Sequence, residues 1–273
     1  MEGGFLKQEG LDAEWSVAAP GKSAVEAIAN GKADVIQTAL IQNINDLENN
    51  RTPVSMNFAQ VNEMDGFFIS AREPDQHFNW KKLEGSEVVM FASGQPHYMF
   101  RYACHKAGID FNKIIPITPG GPADIDAAFR AGQGQYVQQQ GPYPQQLESD
   151  GIAHIVAKNG KLIGPCAFSS LAADPNWLTT DEAKAFCRAY RKTRQYLNDE
   201  TAQEIARMEK NCFPDTDLEA LTACIKSYQS LGCWSPHIEI TEPAYQATLD
   251  VFEHAGVLKH RYQYNEVCTT PPA

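Results

Sequence analysis

Short apolar runs alternate with amphipathic stretches through the first half of the chain, and the periodicity of each predicts an element. Residues 11–17 alternate apolar and polar positions as a strand does, and 21–29 place Val25 and Ile28 on one face of a helix. Residues 33–36 predict a short buried strand, 38–47 a helix, and 54–60 and 66–70 two more strands. After the Glu73-Pro74-Asp75 break the series restarts. Strands are predicted at 88–91, 113–117, 136–139 and 152–156, with helices at 96–107, 123–131 and 143–149 between them. Two successive β/α series predict two α/β lobes with largely parallel sheets.

From Asp174 the pattern turns helical. Thr180-Asp181-Glu182 is a helix start, and the segment runs to Leu197 with Ala185, Cys187, Ala189 and Tyr190 between basic residues. Further helices are predicted at 201–210, 217–231 and 242–255, the last stopped by Gly256. The Gln-rich stretch 133–146 reads either as a solvated loop and helix or, from its Gly and aromatic content, as the wall of a cleft.

Charge narrows the possible partners. Lys and Arg number 23 against 34 Asp and Glu, a formal charge of −11, whereas nucleic acid and anionic membranes draw on an excess of basic residues. No apolar run reaches the roughly 20 residues of a membrane-spanning helix, so no direct membrane insertion is expected. The seven cysteines form no CxxC pair, and their odd number leaves at least one outside any disulfide. Cys187, Cys224 and Cys233 lie in or beside apolar helical stretches and are expected as buried thiols.

Catalytic signatures are sparse. The chain has no phosphate-binding loop, no nucleophile elbow and no paired histidines of the HxH or HExxH kind, so no metal is expected. Gly132-Gln133-Gly134 starts like a dinucleotide fingerprint but lacks the third glycine and precedes a strand, which makes it a turn. Glu63 and Asp65 read as solvated acids at a strand end, and Asn50-Arg51-Thr52 matches a glycosylation sequon. No catalytic set is predicted.

A series of short motifs then meets a family. Gly4-Phe5-Leu6-Lys7-Gln8-Glu9-Gly10-Leu11-Asp12, Asn30-Gly31-Lys32-Ala33-Asp34-Val35, Leu83-Glu84-Gly85-Ser86, Ala107-Gly108-Ile109-Asp110, residues 127–136, 228–234 and Ala255-Gly256-Val257-Leu258 follow in order. This series resembles the nitrate/sulfonate/taurine/thiamine-precursor branch of the periplasmic solute-binding proteins of ABC importers. Gln135 stands where that branch usually has Asp. The resemblance implies a two-lobed type II periplasmic-binding-protein fold with two crossing segments and ligand in an inter-lobe cleft. Residues 1–74 would open lobe one and 75–162 form lobe two. Residues 163–273 would return to lobe one and add C-terminal helices packed on it.

Matching positions imply a ligand lining at strand ends: Gln37 and Thr38 opening a helix, Gln60 and Asn62 ending a strand, Ser93, Gly94, Gln95 and His97 around a helix start, and Gln138, Gln139, Gln140 and Tyr143 in lobe two. Pro96 suits the first position of its helix, which would offer amides to a ligand oxygen. Gln95→Ala and His97→Ala are expected to weaken binding with the melting temperature almost unchanged. The lining favours a neutral or mildly anionic organic ligand with a planar part: a sulfonate, a thiamine-type pyrimidine or an aromatic acid.

A relative in the wider family, the thiamine-pyrimidine synthase, is an enzyme that uses pyridoxal phosphate, a Lys, a His and a cysteine run. Thr38 and Gln42 stand at the Lys and His positions, and Pro165-Cys166-Ala167-Phe168-Ser169 at the cysteine run. The expectation is therefore binding without catalysis or cofactor, with that enzyme or a ligand-sensing module as the alternatives. Expected partners are the small ligand and a membrane permease, with the binding protein a monomer. The resemblance also implies an apolar strand and an export signal ahead of Phe5. The chain is thus expected to be a fragment of a periplasmic or cell-surface parent, lacking a strand between 11–17 and 33–36 on one side and 54–60 on the other.

Overall fold

The computed structural model describes residues 1–18 and 23–273. Helices α1 (Phe5–Gln8) and α2 (Val25–Ala29) precede strand β1 (Val35–Thr38), helix α3 (Leu40–Glu48) and strands β2 (Met56–Asn62) and β3 (Phe67–Ala71). Strand β4 (Glu87–Val89), helix α4 (Gly94–Lys106), strand β5 (Ile115–Ile117) and helix α5 (Pro122–Arg130) come next. Strand β6 (Tyr136–Gln140), helix α6 (Tyr143–Ser149), strand β7 (His154–Lys158) and helix α7 (Gly160–Ile163) follow. The chain ends with β8 (Ser169–Ala173), α8 (Asp181–Asp199), α9 (Ala202–Glu209), α10 (Leu218–Leu231), α11 (Glu242–Ala255) and α12 (Tyr264–Val267). Gly21 and Lys22, which the sequence puts at the start of the first predicted helix, lie outside the described residues.

The elements form two compact units. Unit 1 comprises Met1–Glu63, Cys166–Glu200 and Gly232–Ala273, and unit 2 comprises Met64–Pro165 and Thr201–Leu231. The chain therefore passes between them four times, where the resemblance implies two crossings. Residues 64–74 belong to unit 2 rather than to the first lobe. The C-terminal helices are divided as well: α8 and α11 lie in unit 1, α9 and α10 in unit 2.

The sheet of unit 1 runs β1-β8-β2 and is antiparallel throughout. Its core joins Phe58, Ala59, Ala173, Cys187 and Ile238, with Trp177 and Phe186 packed against them. Residues 11–17 are not a strand, and Trp15 and Val17 are 61% and 80% exposed. Alternation alone does not make a strand, because a strand needs a hydrogen-bonding neighbour. The place between β1 and β2, where a missing strand is expected, holds β8. The far edge of β2 is covered too: the Gln60 amide donates to the Ile238 carbonyl at 2.8 Å, and the Thr269 amide to the Asn57 carbonyl at 2.9 Å.

The sheet of unit 2 runs β5-β4-β6-β3-β7 and is mixed. Strand β4 is parallel to β5 and β6, whereas β3 is antiparallel to β6 and β7. Neighbouring residues of a strand face opposite sides. Val88 accordingly packs with Ile69, Met90 and Phe100, and Val89 with Val137, Phe129 and Leu147. Threonines start the long helices, Thr180 as the sequence predicts and Thr241 where it names none. Thr180 and Thr241 accept from the amides of Ala183 and Ala244, and Gly256, at φ 72°, closes α11.

Candidate functional site

In unit 2 the turn before α4 is built by a glycine. Gly94 has φ 79°, a conformation that strains any side chain, and it opens the helix two residues before Pro96. Pro96 is thus the third helical residue, not the first. Ser93 is the exposed N-cap at φ −161° and makes no side-chain cap bond. The first turn still presents backbone amides and the positive end of a helix of 13 residues. Gln95 is buried at 3% exposure.

His97 is partly structural. Its Nδ1 donates to the Phe91 carbonyl at 2.9 Å, and its ring meets Phe111 edge-on at 5.4 Å. Burial, joined by the charge of Arg101, lowers its pKa despite that bond, which favours the neutral ring. His97→Ala should therefore cost about 1 kcal/mol of stability. Thermal denaturation checks this, and an unchanged melting temperature would return His97 to a purely ligand-facing role.

The end of β6 carries the glutamines. Gln138 pairs with Ile69 and Gln139 with Phe68 in register, so the two carboxamides lie on opposite faces of the sheet. Both side chains are buried, and neither the oxygen nor the nitrogen of either has a hydrogen-bond partner. Gln140 is exposed at the strand end. Tyr143, half-buried, opens α6, and burial together with the charge of Asp126 raises its phenol pKa.

Unit 1 presents a separate set. Gln37 and Thr38 lie within β1 rather than after it, and helix α3 opens only at Leu40. Gln37 is exposed, and its Nε2 donates to the Ser169 hydroxyl at 3.0 Å. Gln60 is buried in β2; its Nε2 donates to the Ser235 hydroxyl at 2.8 Å while its Oε1 is unpaired. Asn62 ends β2, and its carbonyl accepts the Phe168 amide at 3.2 Å.

Two buried charged residues escape the sequence reading. Asp65 is not a solvated turn acid. It is fully buried, its Oδ1 accepts the Phe67 amide at 2.7 Å, and its Oδ2 has no partner. Burial pushes its pKa up to about 7, against the Phe67 amide bond and the nearby Asn159 amide that lower it. The second is Arg194 of α8, which the sequence reading does not single out. It is 0% exposed, one Nη donates to the Gln60 carbonyl, and the guanidinium lies 5.5 Å from the centre of the Tyr190 ring. Tyr190 Oη donates to the same carbonyl at 2.9 Å. The sequence signal for Asp65 is its place two residues before a buried amide, an Asx-turn spacing.

All seven cysteines are thiols, and Cys212 alone is exposed. Thr38 has no amine with which to form a Schiff base, and Cys166 stands without neighbouring cysteines in sequence. Among the described residues no three His, Cys, Asp or Glu side chains gather as metal ligands would, and no helix is long and apolar enough to cross a membrane.

Known proteins share this architecture. The model of the NMT1-like family matches residues 1–209. "Putative binding protein YtlA" of Bacillus subtilis is 29% identical over 269 residues, which are 97% of this chain and 80% of that one. The alkanesulfonate-binding protein SsuA from Xanthomonas axonopodis pv. citri, bound to MOPS, superposes with a TM-score of 0.67 at 18% identity, covering 89% of this chain and 83% of its own. The periplasmic aliphatic sulphonate binding protein SsuA from Escherichia coli gives 0.68 at 18% identity, covering 90% and 78%. The fold is that of the periplasmic binding proteins.

Proposed function

The chain belongs to the NMT1-like family, and from that premise we propose that it is the solute-binding component of an ABC-type importer. It would act as an exported monomer that captures a small organic molecule and delivers it to a membrane permease. The supporting observation is the end of β6, where the carboxamide of Gln139 is buried with neither its oxygen nor its nitrogen bonded. A buried amide left unpaired costs about 1–3 kcal/mol, so folded proteins seldom keep several without something to bond. Glutamines donate and accept, which suits an organic ligand with polar atoms of both kinds. In unit 1 the unpaired Oε1 of Gln60 has the same character. The names of the relatives support binding rather than turnover.

Titration calorimetry against ethanesulfonate, benzoate and an aminopyrimidine tests the reading. At least one should bind, and Gln139→Ala should weaken it by about 2- to 10-fold, the worth of one hydrogen bond. Absence of binding by all three, or their chemical conversion, would overturn it.

A further inference from the structure

Helix α10 belongs to the 201–231 segment that rejoins unit 2, and one of its faces is pressed against the turn that follows β6. We propose that Tyr228 is a positioning residue for this turn and sets the placement of Gln139, Gln140 and Tyr143 toward ligand, a role that rests on the solute-binding reading above. Its phenol joins two chain segments. Tyr228 Oη donates to the Gly66 carbonyl at 3.1 Å and accepts the Gly141 amide at 3.1 Å. The ring lies flat on Phe68, 6.0 Å between centres and 8° between planes, and Phe68 is the register partner of Gln139.

Two glycines make room for it. A Cβ on Gly66 would stand 2.8 Å from Tyr228 Cζ. On Gly141 it would overlap the sulfur of Cys224, one helical turn before Tyr228, and stand 3.3 Å from the phenol oxygen. Both contacts need a residue with no side chain. The following helix is fastened to the same support. Gln146 of α6 donates from Nε2 to Asp217 at 2.9 Å, and its Oε1 accepts the Asp217 amide at 2.8 Å, just ahead of α10. The turn bearing the candidate ligand residues is thereby held at the phenol and again at α6.

Tyr228→Phe keeps the ring and removes only the hydroxyl. Amide exchange at Gly141, read by NMR, should become about 5- to 10-fold faster, and affinity for whichever of ethanesulfonate, benzoate or aminopyrimidine binds should fall about 5-fold. Ile225→Val, a buried change on the same helix, controls for general loss of stability. It should lower the melting temperature without either effect. Unchanged affinity in Tyr228→Phe, an unchanged Gly141 amide, or equal weakening by Ile225→Val would overturn the positioning role while the solute-binding reading stands. If the wild-type chain binds none of the three probes, both fail.

Discussion

Asp65→Asn should make the protein more stable above pH 7 and leave it nearly unchanged at pH 4. Asp65 is fully buried and holds its proton up to about pH 7, whereas the same side chain in an unfolded chain ionises near 3.8. Between these values the folded form binds more protons than the unfolded one, so stability falls as pH rises. At about 1.4 kcal/mol per pH unit, the loss across the window is on the order of 4 kcal/mol and is complete above pH 7. Asparagine cannot ionise. Its Oδ1 can keep the bond from Phe67, and its Nδ2 can donate where the protonated acid would, toward the buried Asn159. Surface acids such as Glu84, whose pKa is lowered by Lys81 and the Asp110 amide, act in the opposite sense and only at lower pH. They cancel when variant and wild type are compared. Urea unfolding from pH 4 to 9 checks the difference, and parallel curves for the two proteins would show that Asp65 is ionised throughout.

The same residue marks where sequence reading stops. Helices were legible because their signals are local: Thr180 and Thr241 accept from their own third-residue amides, and Gly256 ends α11 in the left-handed region. The strand that carries the glutamines was legible as well, since 136–139 is predicted as a strand and β6 runs Tyr136–Gln140, whereas their role toward ligand came from the family resemblance alone. Strand β8 was not legible. Ser169-Ser170-Leu171-Ala172-Ala173 has little strand propensity, and it is extended because β1 and β2 pair with it from both sides. Residues 11–17 are the converse, a strand pattern with nothing to pair. Asp65 and Arg194 were missed for a related reason. A charged side chain is normally exposed, and burial is decided by residues distant in sequence, Asn159 for the one and Gln60 for the other. Gly160 shows how tight that packing is, since a Cβ there would overlap the carbonyl oxygen of Asp65.

Arg194→Ala should destabilise the protein by about 3–5 kcal/mol, the usual range when a large, fully buried core side chain is truncated. Arg194 is among the largest fully buried side chains and bonds the Gln60 carbonyl, in the strand that ends at Asn62. The neighbouring Glu63 is drawn into the same cluster. Its carboxylate lies 3.5 Å from His237 Nε2, its amide donates to the Cys233 carbonyl at 2.9 Å, and its carbonyl accepts the Cys166 amide at 2.7 Å. Residues 63, 166 and 233 are each at or beside the limit of a segment of unit 1, so the knot ties three of the segment ends together. Arg194→Met separates the two contributions. Methionine refills most of the volume and relieves the cost of Nε and one Nη, which are buried without partners, while Tyr190 continues to satisfy the Gln60 carbonyl. Its loss should be no more than about 1–2 kcal/mol, the worth of a hydrogen bond from a charged group less that relief. Equal losses for Ala and Met in urea unfolding would mean that charge, not volume, dominates. A loss under about 1 kcal/mol for Arg194→Ala would mean that the guanidinium does not hold the end of β2.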